Sequence, residues 1–197
     1  MPRYKIQRKF IISYEETKDL VDKLADPRDK SMAAMFFLCG CRPSELKLIV
    51  KQDFNISAHE NKLWINLTTK KKPHRHSELI ISNRWNWAYL DDPMAKIVLE
   101  YIENKDMTEP LWDYGNTAKS HNKNIDRRLK AINPNVCAYV FRKSKVTRLM
   151  NAGNDYGYIV SWFGWADDRV LQRYNVGTKK TTENIDQDRS DNIKPGY

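Results

Sequence analysis

Around Leu63 the hydrophobic period of the chain switches from that of a helix to that of a strand, which excludes a purely helical and a purely β fold. Leu63, Ile65 and Leu67 alternate with their neighbours, as do His76, Glu78 and Ile80 against Ser77, Leu79 and Ile81. A period of two marks strands with one buried face. The basic run Lys70–Arg75, with Pro73 inside it, lies between the two stretches and reads as a hairpin loop. A small antiparallel sheet of two or three strands is expected.

The flanking sequence has helical spacing. Ser13 and Glu16 stand at a capping-box interval ahead of Leu20, Val21 and Leu24. A second helix is expected over roughly Arg28–Cys39, with Met32, Met35, Phe36 and Cys39 on one face and Gly40 at its end. Pro43 suits the first turn of a third helix bearing Leu46, Leu48 and Ile49. Further helices are expected at about Pro93–Asn104, Thr117–Ile132, Val140–Ala152, Tyr158–Phe163 and Asp168–Tyr174, with Gly153 as a terminator. Trp85, Trp87 and Tyr89 read as packing residues, against the core or an adjacent protomer. The expectation is an α+β domain, mainly helical with a minor sheet. Residues 1–12 read as a basic arm or linker, 13–176 as the domain and 177–197 as a polar segment, either a frayed tail or an arm that orders on a partner.

A chain of 197 residues, 41% hydrophobic and 30% charged, is long enough to bury one real core. No stretch nears the roughly 20 apolar residues of a membrane span, and the N-terminus has no apolar signal core. Cys39, Cys41 and Cys137 cannot all pair and form no C-x-x-C, so reduced, buried thiols and a cytoplasmic setting are expected. The net charge of +9 and sequence pI of about 9.4 favour a polyanionic partner, nucleic acid first. The charge is clustered: Pro2–Lys9, Lys70–His76, Lys119–Lys130 and Arg142–Arg148 are basic, whereas Glu15–Asp29 and Asp91–Glu109 are near neutral or acidic. Separate clusters suit a folded concave surface. Lys71, Lys72, Arg75, Lys119, Lys123, Arg127, Arg128, Lys143 and Lys145 are the candidate phosphate contacts.

Three local patterns carry chemistry. Gly40-Cys41-Arg42-Pro43-Ser44-Glu45-Leu46 sets an arginine at a helix start. Thr69-Lys70-Lys71-Lys72-Pro73-His74-Arg75 fills the hairpin loop. Tyr139-Val140-Phe141-Arg142 precedes Phe163-Gly164-Trp165 and Gln172-Arg173-Tyr174. Each has an ordinary reading by itself: a structural Arg42–Glu45 pair, a solvated lysine turn, Trp165 packed in the core, one tyrosine among ten. His74 and His76 form an H-x-H pair with no evident third ligand, so no metal site is expected.

In this order and spacing the motifs resemble the tyrosine recombinase/integrase family, from about Ser13 to Tyr174. Arg42 and Glu45 fall on its G-L-R-x-S-E-L motif. Lys70 lies five residues before Arg75, as its hairpin lysine lies before a strand-opening arginine. Tyr139 and Arg142 fall on its H-x-x-R, Phe163-Gly164-Trp165 on its L-G-H or L-G-W, and Tyr174 on its nucleophile. The F-G-W form and the Arg142-Lys143-Ser144 run look closest to archaeal and archaeal-virus integrases.

The resemblance implies a catalytic domain that cleaves and rejoins double-stranded DNA through a 3′-phosphotyrosyl bond, without metal or other cofactor. Arg42 and Arg142 would clamp the phosphate oxygens, each lowering the barrier by a few kcal/mol. Lys70 would protonate the leaving 5′ oxygen. Trp165 would donate an N–H where the family often has histidine, but it cannot transfer a proton. Tyr174 would attack the phosphorus. Tyr139 departs from histidine: a phenol with pKa near 10 is a poor general base, so the base for Tyr174 is unassigned. Self-association on DNA, as a tetramer in the synaptic complex and a monomer in isolation, is also implied. So is a preceding helical DNA-binding domain, so that this chain is either a fragment, the favoured reading, or a minimal protein. The same chemistry would serve a telomere resolvase or a type IB topoisomerase-like enzyme. A catalytically silent DNA-binding accessory protein is the alternative from another class.

Overall fold

The computed structural model describes residues 10–71 and 80–173. Seven α-helices appear among them: α1 (Tyr14–Lys23), α2 (Pro27–Cys39), α3 (Pro43–Leu46), α4 (Pro93–Ile102), α5 (Ala118–Ile132), α6 (Ala138–Asn151) and α7 (Tyr156–Phe163). Strands β1 (Phe54–Ser57), β2 (Lys62–Lys71) and β3 (Ile80–Tyr89) form an antiparallel sheet in sequence order, and 3-10 turns span Lys51–Asp53 and Asp168–Arg173. The architecture is the expected mainly helical α+β domain.

Local chemistry sets the helix ends. At α1 the Ser13 side chain accepts from the Glu16 N–H and Glu16 accepts from the Ser13 N–H, the reciprocal box read from the sequence. Asp26, Asp92, Thr117 and Asp155 cap α2, α4, α5 and α7 through side-chain oxygens. The third helix is shorter than its apolar residues imply: it stops after one turn, at Leu46.

Helix α2 is the axis of the core. Every residue from Ser31 to Gly40 is buried, with α1, α4, α6 and β3 packed around it. Its last turn carries no basic residue of its own. Its terminal carbonyls instead accept from other elements: Phe37 from Arg148 Nη2 (2.9 Å), Cys39 from Trp162 Nε1 (3.2 Å) and Gly40 from Arg142 Nη1 (2.8 Å). The negative end of a helix dipole thus meets two guanidiniums from α6.

The second strand of the hairpin differs from the sequence expectation. It runs to Tyr89, well past Ile81, and places Leu67 opposite Arg84, Ile65 opposite Asn86 and Leu63 opposite Ala88 on the buried face. Two polar residues on that face hide the alternation that betrays β2. Trp87 on β3 packs edge-on against Tyr89 and Trp162, whereas Trp85 is 53% exposed.

Gly40 ends α2 in the left-handed region (φ +58°), and a Cβ there would lie 2.8 Å from Phe163 Cε1 and 3.1 Å from Lys145 Cβ. Strain and overlap act together. Gly40→Ala is therefore expected to lower stability by about 2–4 kcal/mol, read as a lower urea midpoint with unchanged slope.

Candidate active site

The short α3 places Arg42 and Glu45 on one turn, because Pro43 starts the helix and Glu45 Oε2 takes the Arg42 backbone N–H at 2.7 Å. Glu45 is the hub. Its Oε1 accepts from Arg42 Nη1 (2.7 Å), Thr69 Oγ1 (2.8 Å) and Arg84 Nη1 (3.0 Å), and its Oε2 also accepts from Arg84 Nη2 (2.9 Å). Arg142 Nη1 stands 3.9 Å from Oε2. The Glu45 side chain is 2% exposed, that of Arg84 7% and that of Arg42 34%. Burial opposes ionisation of Glu45, but the Arg84 hydrogen bonds and charge, followed by the charges of Arg42 and Arg142, outweigh it and hold the carboxyl at about 2. Three guanidiniums against one carboxylate leave two net positive charges in this cluster.

Arg142 reaches the cluster from the second turn of α6. It donates to Gly40 O (2.8 Å), and its guanidinium lies over the rings of Phe163 (4.6 Å) and Trp165 (5.4 Å). Those two rings stack at 4.8 Å and 20° across Gly164, which adopts the left-handed region (φ +59°). Tyr139, one turn before Arg142, is 49% exposed. The structure therefore gathers Arg42, Glu45, Arg142 and Trp165, as the motif order implies.

The remaining candidates divide. Lys70 and Lys71 close β2 opposite Ile81 and Ile80, directly after the Thr69 that holds Glu45. Lys72, His74, Arg75, His76 and Tyr174 lie outside the described residues; the 3-10 turn Asp168–Arg173 leads to Tyr174. On α5, Lys119, Lys123 and Arg127 are exposed at four-residue intervals, which puts them on one helix face.

Arg128, Lys143 and Lys145 do not join such a surface stripe. Arg128 pairs with Asp29 at 2.6 Å and lies over the Tyr114 ring, bracing α5 against α2. Lys143 is 7% exposed, and burial lowers its pKa. Lys145 is fully buried, its ammonium 4.9 Å from the Trp162 ring centre. The basic run on α6 faces inward because α6 packs against α2 and α7, and carbonyls at the end of α2 receive Arg142 and Arg148. Among the described residues no group of three His, Cys, Asp or Glu stands ready to hold a metal ion, and no helix is long and apolar enough to cross a membrane.

Arg84 is the site residue that the sequence reading missed. Its Nε donates to Trp162 O (2.9 Å) and its Nη1 to Thr69 Oγ1 (2.7 Å), in addition to the two bonds to Glu45. Continuing the β2 alternation across the hairpin to residue 84 was the signal available.

The Glu45 carboxyl sits near 2 when folded and at 4.5 as a free side chain, so its ionic bonds stabilise the fold above pH 4.5 and are lost as pH falls toward 2. Wild type is expected to lose on the order of 3 kcal/mol across that window. Glu45→Gln, less stable at neutral pH, should have a flatter acid limb in denaturant titrations at stepped pH.

No family model matches the sequence, and no curated protein matches it. Solved structures do match. The XerA recombinase aligns with a TM-score of 0.61 at 18% identity, over 91% of this chain and 62% of its own. The Tn1549 transposon integrase in complex with transposon right end DNA aligns at 0.61 and 14%, over 86% of this chain and 62% of its own. The XerH site-specific recombinase bound to its difH substrate gives 0.56 and 16%, over 84% and 49%. The chain thus spans about three-fifths of these proteins or less. Its helices and three-stranded antiparallel sheet have the fold of a tyrosine recombinase catalytic domain.

Proposed function

We propose that this chain cleaves and rejoins double-stranded DNA through a 3′-phosphotyrosyl bond at Tyr174. One observation carries the reading. Arg42 and Arg142, a hundred residues apart in sequence, converge on one buried carboxylate in a cluster that keeps a positive excess. A pentacoordinate phosphorus carries extra negative charge on its equatorial oxygens, and guanidiniums fixed before substrate arrives stabilise it without reorganising. The Tyr174 oxygen bonds to phosphorus as the bond to the 5′ oxygen breaks. Lys70 gives a proton to that oxygen, and the phenol's proton leaves to a base outside this set. The exchange of one phosphoester for another conserves the bond, so religation needs no ATP. Trp165 orients a phosphate oxygen.

In this reading residues 13–176 are the catalytic unit, 1–12 a basic arm and 177–197 a tail that docks on a neighbouring protomer within a DNA-bound tetramer. The duplex is the partner, as transposon right end DNA is for the Tn1549 integrase and the difH substrate is for XerH. Three free, buried cysteines accord with the cytoplasm of a cell that carries a virus or mobile element. The Phe163-Gly164-Trp165 form leans toward archaeal and archaeal-virus integrases. Exposed Tyr139 in place of a histidine favours one other reading, a silent DNA-binding accessory protein.

A randomised pool of nicked duplexes, from which the leaving strand diffuses away, separates these readings. Wild type is expected to form a covalent protein–DNA adduct and Tyr174→Phe none; equal trapping by both ends the assignment. Arg142→Ala should lower adduct formation by about a hundredfold or more while keeping the circular dichroism of wild type.

The exposed α5 stripe gives a separate outcome. Replacing Lys119, Lys123 and Arg127 together by Gln should reduce the slope of log affinity against log salt by roughly 3, measured by fluorescence anisotropy on a duplex.

A further inference from the structure

The buried guanidinium of Arg84 is a second, inner partner for Glu45, and its geometry differs from that of Arg42. Arg84 is nearly closed off from solvent and engages Glu45 through both terminal nitrogens. Its Nε is tied to the last turn of α7 through Trp162 O, and its Nη1 is shared with Thr69 on β2. Gly164 leaves room for it: a Cβ there would lie 3.3 Å from Arg84 Cδ. Arg42, by contrast, gives Glu45 one guanidinium nitrogen and keeps a third of its side chain exposed.

We propose that Arg84 is a positioning residue that, by saturating Glu45, keeps the Arg42 guanidinium available to a phosphate. This rests on the phosphodiester reading above. A carboxylate only 2% exposed is poorly hydrated and must be met by donors. Removing Arg84 takes one hydrogen bond from each carboxylate oxygen. The nearest cation left is Arg42, already 2.7 Å from Oε1, and a bidentate fork is the arrangement that carboxylate and guanidinium prefer. Arg42 would then rotate inward and its charge would be spent on Glu45. Arg84 also joins α3 to the end of α7 and so sets the separation between Arg42 and Trp165.

The test compares wild type, Arg84→Met, Arg84→Lys and the double variant Glu45→Gln/Arg84→Met. Adduct formation on nicked DNA is expected to slow by about a hundredfold in Arg84→Met, less in Arg84→Lys, and to recover by about tenfold in the double variant, which no longer has a buried anion to capture Arg42. A purely structural role predicts a double variant as slow as the single one or slower, and that result overturns the proposal. In parallel, inorganic phosphate is titrated while the arginine Nε signals are followed by 15N NMR. Arg42 should respond in wild type and in the double variant but not in Arg84→Met. An Arg42 signal indifferent to phosphate in wild type, or equally responsive in Arg84→Met, also overturns it. If wild type forms no adduct at all, the cleavage reading falls and the phosphate titration still decides the role of Arg84. If Arg84→Met alone unfolds, Arg84→Lys and the double variant carry the comparison.

Discussion

A single buried carboxylate organises this domain. Glu45 draws donors from α3, β2 and β3, with the α6 arginine close by. An isolated ionised carboxylate in such a place would be driven to protonate. It stays ionised because cations surround it, and those cations stay close together because it stands between them. Each half of the arrangement stabilises the other. A mainly helical domain with a three-stranded sheet can therefore hold three guanidiniums within reach of one another.

The second organising feature is the end of α2. A helix buried along its final turns has carbonyls that water cannot reach, and here Arg142, Arg148 and the Trp162 indole supply the donors. Arg148 lies 3.7 Å from the centre of the Phe37 ring, so its charge is met by a π face as well as by a carbonyl. Arg142 thus has a structural partner in Gly40 and a place beside Glu45, and the backbone fixes its direction before any ligand arrives.

Helix starts were the most legible part of the sequence, since capping is local chemistry: Ser13 with Glu16, and Pro43 after Arg42, both act within one turn. The strand β2 was legible because its buried residues are all apolar up to Leu67. The strand β3 was not, since its inward positions are Arg84, Asn86 and Ala88, and a charged residue in the core is recognisable only when its distant partner is known. The same reason explains the inward turn of the α6 cations: a basic run on a helix looks like a surface until the carbonyls it serves, more than a hundred residues away for Arg148, are in view. The grouping of Arg42, Glu45, Arg142 and Trp165 followed from motif order, which encodes topology. Arg84 belonged to no motif.

The walls nearest Arg142 and Arg84 are main chain as much as side chain. A methyl group at Gly40, the end of α2, would touch Phe163 on α7, and one at Gly164, the end of α7, would touch Arg84 on β3. Apertures framed by backbone are insulated from drift in the surrounding side chains. The spacing of the cationic centre thus rests on two positions where a hydrogen atom stands in place of a side chain.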